Sequence, residues 1–213
     1  MRNYPPAVEI QLGNIEAATR LLEEGNAVLS RLGDHFMRTW NLELQAMIAT
    51  MQDRLHDAVE LHRRAIELAR DLGYPRAMQI GSQGLGEAHA AAGELDAADE
   101  AFLESLALSE QMGLAREMAG MMAKIAGVRA EMGKAEDAVE ILASVLADPS
   151  SGQQLVTESA PISQMAEEAL SKLKEELHPD AYAAAYARGS ARSIEVGAKE
   201  LLTGRRPATT AVV

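Results

Sequence analysis

Apolar residues recur at three-to-four spacing through most of this chain and stop at glycines that keep a fixed interval. Gly33, Gly73 and Gly113 stand forty residues apart, and so do Ala18, Ala58, Ala98 and Ala138. Around the alanines one motif is written four times: GNIEAATRLL from Gly13, DRLHDAVELH from Asp53, GELDAADEAF from Gly93 and GKAEDAVEIL from Gly133. Each copy opens on a turn residue, places an apolar or alanine side chain two positions later (Ile15, Leu55, Leu95, Ala135), and then reaches the shared alanine. Leu21 and Leu22, Phe102, and Ile141 with Leu142 extend the stripe, which gives one face of a helix to a neighbour. The helix runs on to the second glycine series, where a left-handed backbone can end it. Before each turn lies another helix: NLELQAMIATM from Asn41, GSQGLGEAHAAA from Gly81 and AKIAGVRAEM from Ala123. Helix, turn, helix and break at a fixed period make a unit that cannot bury its apolar face alone and must stack. The expected fold is all-α, a right-handed α-α superhelix of about five helical hairpins.

Composition agrees with helices. The 213 residues are 47% hydrophobic but only 3% aromatic, so strand formers are scarce and Ala, Leu and Met dominate. The chain has no cysteine, which removes disulfides, thiolate metal sites and a cysteine nucleophile together; a cytoplasmic location is expected. No run of about 18 apolar residues spans a membrane, and MRNYPPAVEIQ lacks the basic leader and apolar run of a signal peptide. The net charge of −12 opposes a phosphate backbone, so no direct nucleic-acid binding is expected.

The third copy reads Ser82-x2-Leu85-Gly86-x2-His89, then Ala98-x3-Phe102. Leu85, Gly86, Ala98 and Phe102 match in register the W-x2-L-G-x2-Y, A-x3-F pattern of the tetratricopeptide repeat (TPR), so residues 13–150 resemble that family. Other copies keep a small residue at the Gly86 position (Ala46, Ala126) and lose the aromatic ones, while Pro75 and Pro149 lie near repeat junctions rather than at the motif proline. The period exceeds the usual 34 residues, and the surplus is expected to lengthen both the helices and the inter-repeat loop. Long repeats of this kind resemble the carboxy-terminal arms of large bacterial signalling ATPases, transcriptional activators and cyclase-linked regulators. The segment HPDAYAAAYARGSARSIEVGAKELL looks like the closing motif of such arms.

The expected organisation is TPR-like repeats over 1–152, with units near 1–33, 34–73, 74–113 and 114–152, then atypical capping helices over 153–204 and a disordered tail over 205–213. Pro5 and Pro6 occupy the place of the first helix, which suggests a start inside a larger array. DPSSGQQ breaks the period; PISQMAEEALSKLKEEL and PDAYAAAYARG then read as one more helix pair, with Pro179 at a first helical position. Ser193 is placed to cap a last helix ending before Gly204.

Enzyme-like letters are few. Gly81, Gly84 and Gly86 are in the wrong order for a dinucleotide loop and no strand precedes them; Gly133-Lys134 lacks the rest of a phosphate loop. His35, His56, His62, His89 and His178 form no H-E-x-x-H, and His89, at the tyrosine position of the repeat, reads as packed. Glu94, Asp96, Asp99 and Glu100 lie where acidic side chains complement a helix N-terminus. No catalytic residue, cofactor site or metal site is expected.

Binding is the better candidate. The TPR resemblance implies a concave groove lined by residues two, five, nine, twelve and thirteen of each first helix. On this sequence those are Trp40, Glu43, Met47, Thr50 and Met51, then Ile80, Gln83, Glu87, Ala90 and Ala91, then Gly120, Ala123, Gly127, Ala130 and Glu131. Repeats that clamp a chaperone's terminal carboxylate carry Lys, Arg and Asn in the groove; Glu43, Met47, Gln83, Glu87, Ala123 and Gly127 depart from that. Trp40, the single tryptophan, either lies in the groove beside Met47 and Met51 or packs between repeats; Met118, Met121 and Met122 read as core. Two functions are carried forward. One is a protein-protein interaction scaffold that binds a peptide, helix or neighbouring domain, within a larger bacterial regulatory protein. The other is a ligand-sensing arm that holds a small molecule and controls an attached ATPase or cyclase module. Oligomeric state stays open.

Overall fold

The computed structural model describes residues 5–152 and 161–204 of the chain. Within them the helices are α1 (Pro6–Gln11), α2 (Ile15–Leu32), α3 (His35–Met51), α4 (Leu55–Asp71), α5 (Pro75–Ala91), α6 (Leu95–Gln111), α7 (Ala115–Glu131), α8 (Ala135–Ala147), α9 (Ile162–Glu176), α10 (Pro179–Ser190) and α11 (Ile194–Thr203), with a 3-10 turn at Pro149–Gly152. Among the described residues there is no strand.

The two turn series behave as one. Gly13, Gly33, Asp53, Gly73, Gly93, Gly113 and Gly133, spaced twenty apart, all have φ between 58° and 78°. This left-handed backbone is open to glycine without penalty and costly for most other residues. The residue after each bend closes the preceding helix: Tyr74 N–H donates to the Ala69 carbonyl at 2.9 Å, Glu94 to His89 at 2.9 Å, and Lys134 to Arg129 at 2.8 Å. The same residue opens the next helix, as where the Lys134 carbonyl accepts from Ala138 N–H at 3.1 Å. One three-residue break therefore ends one helix and starts the next. The breaks at 52–54, 72–74, 92–94, 112–114 and 132–134 are equal in length, so the inter-repeat loop is not lengthened and the long period resides in the helices.

The chain divides into two compact units, 1–108 and 109–213. In the first, each helix from α1 to α4 packs on its successor, and α3 also meets α5. Ala18, Ala58 and Ala98 are fully buried, as is Leu106, and Phe102 is nearly so. Gly86 shows why a small residue stands at its position: a Cβ there would fall 2.5 Å from the Phe102 ring. A first helix does precede copy one. Pro6 is its first residue, a place where the missing N–H has no partner to lose, so the prolines shorten that helix to Pro6–Gln11 instead of abolishing it.

In the second unit α7 and α8 pair, and α9, α10 and α11 pack around them. Met118, Met121 and Met122 are buried. The expected pairing of α9 with α10 is replaced by a close contact of α10 with α8. The reason is Gly189, where a Cβ would fall 2.8 Å from the Ala143 Cβ, together with Ala185, which is fully buried. A small-residue face lets two helix backbones approach, and that face of α10 meets α8 rather than α9. Ser193 accepts a hydrogen bond from Val196 N–H at 3.4 Å and caps α11, and Pro179 is the first residue of α10. The expected tail, 205–213, and residues 153–160 lie outside the described residues.

Candidate functional site

Among the described residues, helix α3 carries the most exposed large hydrophobic side chains. Phe36, Met37, Trp40, Met47 and Met51 are all exposed, Trp40 at 47% and Met51 at 54%. Positions 40, 47 and 51 lie on one side of a helix, with buried Leu44 and Ile48 along one edge of that side, while Ala46 and Ala49 on the far side are buried. Thr50 is half-buried and its hydroxyl donates to the Ala46 carbonyl at 3.1 Å. Trp40 stands between two clefts. On one side Leu21, Val28, Leu29 and Leu44 line an apolar hollow with it; on the other Phe36, Tyr74, Ala77 and Ile80 do.

Glu43 differs from the expectation of an open groove position. It is buried, and Oε2 lies 2.9 Å from His62 Nδ1 of α4. Oε1, also buried, has no hydrogen-bond partner among the described residues. The pair exists because α5 leaves room for it. A Cβ on Gly81 would fall 2.9 Å from Glu43 Oε1, and one on Gly84 would overlap the His62 ring. The glycines that resembled a nucleotide loop are thus the space in which a buried carboxylate and an imidazole meet. Sequence reasoning placed Glu43, Gly81, Gly84 and His62 separately and did not join them.

The remaining groove positions fall into two groups. On α5, Ile80 is half-buried, and Gln83 Nε2 donates to Glu87 Oε1 at 3.1 Å on the surface. On α7 the groove face meets α9: a Cβ on Gly120 would rest 3.6 Å from Ile162 Cδ1, and Gly127, Ala130 and Glu131 line a cleft with Met165, Glu168 and Lys172. Ala123 is half-buried, and Gly127 has open space around it. His89 is buried, as expected, with Nδ1 2.5 Å from Glu94 Oε2. His56, by contrast, is exposed.

A dense ionic cluster lies in the second unit. Arg188 Nε donates to Glu140 Oε2 at 2.6 Å, Arg192 bonds the other oxygen, and Arg192 also reaches Glu200 at 3.0 Å. Burial is the largest single influence on Glu140 and opposes its ionisation, but the hydrogen bonds and charges of the two arginines together outweigh it. Its carboxyl is held below the ordinary carboxylate range. The cluster ties α10 and α11 to α8. Among the described residues no group of three His, Asp or Glu side chains is arranged to hold a metal ion, and no helix is long and apolar enough to cross a membrane.

No protein-family model matches the chain, and no curated protein does. Solved structures do. The chain is similar to BtubC (BKLC) from P. vanneervenii, with a TM-score of 0.70 and 15% identity over 98% of this chain and 83% of that one. It is also similar to a Podospora anserina protein described as a kinesin light chain of nearly identical TPR-like repeats, with a TM-score of 0.64 and 15% identity over 95% of this chain and 94% of that one. The fold is therefore all-α and TPR-like, as the repeat spacing indicated.

Proposed function

We propose that the chain is a protein-interaction scaffold, and that the first-helix face of α3 and α5 takes an amphipathic helix of a partner or of a neighbouring domain in its own parent protein. The observation that carries this reading is α9, which lies on the corresponding face of α7. Positions 40, 80 and 120 are equivalent in the repeat, as are 47, 87 and 127, and 51, 91 and 131. At Gly120 this register packs against Ile162 of α9, whose buried residues Ile162, Ala166, Leu170 and Leu173 follow helical spacing, and exposed Gly127 and Glu131 border a cleft with the same helix. At Trp40, Met47 and Met51 the same register is exposed and more apolar. Thioethers repack around varied apolar partners, and a tryptophan supplies a large anchor. The net charge of −12 selects a partner with a basic outer face. This gives the chain a binding role rather than a catalytic one, consistent with the resemblance to regulatory arms of bacterial signalling proteins.

The test is a titration of a 15-residue Leu/Lys amphipathic helix and its scrambled control, read by the emission of Trp40, the single tryptophan. The helix shifts the emission saturably and the scrambled peptide does not. A variant carrying Met47→Glu and Met51→Glu loses the helix at least tenfold although it is more acidic. Unchanged or tighter binding by that variant would mean charge alone holds the peptide, and the reading fails.

A second reading, the ligand-sensing arm, draws support from the cleft bordered by Phe36, Trp40, Glu43 and Tyr74, which has convergent polar and aromatic groups where a plain peptide groove would not.

A further inference from the structure

The hollow between α2 and α3 is the larger of the two that border Trp40, about 560 Å³ against about 260 Å³. Leu21, Leu22, Val28, Leu29, Met37 and Leu44 line it, and among the described lining residues Glu24 and Asn41 alone have polar side chains. Asn41 is already engaged, its Nδ2 donating to the Leu22 carbonyl at 3.1 Å. An apolar surface of this size is costly to leave in water.

The repeat shows what such a surface is built to meet. Forty residues on, the first half of α3 lies against the next hairpin: Glu43 reaches His62 of α4 and borders Gly81 of α5, and Phe36 meets the Tyr74 ring just before α5. In that hairpin Ala65 and Ala69 are fully buried, and Ala77 is buried too. Their equivalents in the first hairpin are Gly25, Leu29 and Met37, of which the first two are half-buried and Met37 is 42% exposed. The difference lies in α1. It begins at Pro6, the equivalent of Ala46, behind an extended Pro5, so nothing in the described first hairpin corresponds to His35–Gln45. About three turns of helix are missing from a surface shaped to pack one.

A second copy of this chain carries a surface that fits. Val28 and Leu32 are 45% and 73% exposed, and Leu32 stands one turn beyond Val28 on the same face of α2. An apolar ridge and an apolar hollow thus lie side by side, the self-complementary arrangement that a two-fold contact requires. Charge agrees with this choice. Arg20, Arg31 and Arg38 nearly balance Glu16, Glu23, Glu24 and Asp34 along α2 and the start of α3, whereas the whole chain carries −12. A copy that approaches by this end escapes most of the repulsion set by the net charge. We propose that two copies associate through α2 and the first half of α3, the Leu32 ridge of each seated in the hollow of the other. This surface is distinct from the α3 and α5 face, because Met47 and Met51 do not line the hollow.

Sedimentation equilibrium of the full chain over a range of concentrations is the experiment. The natural chain is a reversible dimer, and the emission of Trp40, which lines the hollow, changes on dilution with the same midpoint. Val28→Gln with Leu32→Gln, at exposed positions and without a change of charge, weakens the dimer at least tenfold at unchanged helix content. Should that pair lose helix content, Leu32→Gln alone takes its place with a smaller loss. Leu72→Gln, at the position equivalent to Leu32 in the next hairpin, leaves the dimer intact. So does the Met47→Glu, Met51→Glu variant, which separates self-association from helix docking on the α3 and α5 face. A chain that stays monomeric at every concentration overturns the proposal; if the Val28, Leu32 variant then also loses the Leu/Lys helix, the hollow belongs to a partner helix instead. A dimer that survives the Val28 and Leu32 substitutions has its contact elsewhere, and a loss of equal size in Leu72→Gln makes the effect a general one; either overturns the proposal.

Discussion

Gly189 of α10 lies directly over the Glu140 backbone of α8: a Cβ on it would meet the Glu140 carbonyl oxygen and fall 2.8 Å from that carbonyl carbon. Backbone cannot turn aside as a side-chain end can. Gly189→Ala therefore forces α10 off α8 and costs about 1–3 kcal/mol, seen as a lower urea midpoint. Gly127 is the opposite case, a helical glycine with nothing within 4 Å of its Cβ position. Gly127→Ala stabilises by about 1 kcal/mol. If both alanines moved the midpoint the same way, the contact at Gly189 would have no energetic meaning.

Asp53 is the one described non-glycine residue with a positive φ, 58°, at a position its six equivalents fill with glycine. Asp53→Gly removes that strain and is expected to raise stability by about 1 kcal/mol. Gly93→Ala, at φ 74°, lowers it by a similar amount. Thermal unfolding of the two variants checks the sign of each.

His62 and Glu43 are both buried and face each other at 2.9 Å. Removing the imidazole alone leaves the carboxylate buried without any partner, so His62→Ala costs about 3 kcal/mol. The double variant His62→Leu, Glu43→Leu removes both polar groups and is expected to be less destabilising than His62→Ala. Denaturant titration compares them, and a double variant worse than the single one would show that the pair stabilises the fold on balance.

Glu140 links pH to stability. Its folded-state carboxyl titrates below the ordinary range, since Arg188 and Arg192 together outweigh the effect of burial. Its contribution is thus fully present above the ordinary carboxylate range and is lost as pH falls through the lowered folded value. Measured against Glu140→Gln, the urea midpoint of the natural chain should be higher at neutral pH, and the gap should close on acidification. A gap that persists undiminished in acid contradicts the assignment.

How much of this was legible beforehand follows the range of each interaction. Glycine at a fixed interval, an alanine at each helix crossing and a three-to-four apolar stripe are properties of a few neighbouring residues, and backbone stereochemistry acts on them alone. The sequence by itself determined the helices, their left-handed ends, the burial of Ala18, Ala58, Ala98 and Ala138, and the buried methionines of α7. The TPR resemblance put Trp40, Met47 and Met51 at groove positions and left Trp40 open between groove and core, because an exposed stripe has the same period as a buried one; the structure has all three exposed. The period could not say where its extra residues went; only the equal three-residue breaks placed them in the helices.

What only the tertiary structure decided is which faces meet. Glu43 and His62 are nineteen residues apart on different helices, and their pairing needs the gap left by Gly81 and Gly84 on a third. No local pattern encodes a three-body fit. Likewise, α10 chose α8 over its neighbour in sequence, and α9 came to lie on α7, because burial rewards the best-fitting apolar surface in reach regardless of chain order. Periodicity tells each helix which side to bury; the packing of the whole unit settles against what.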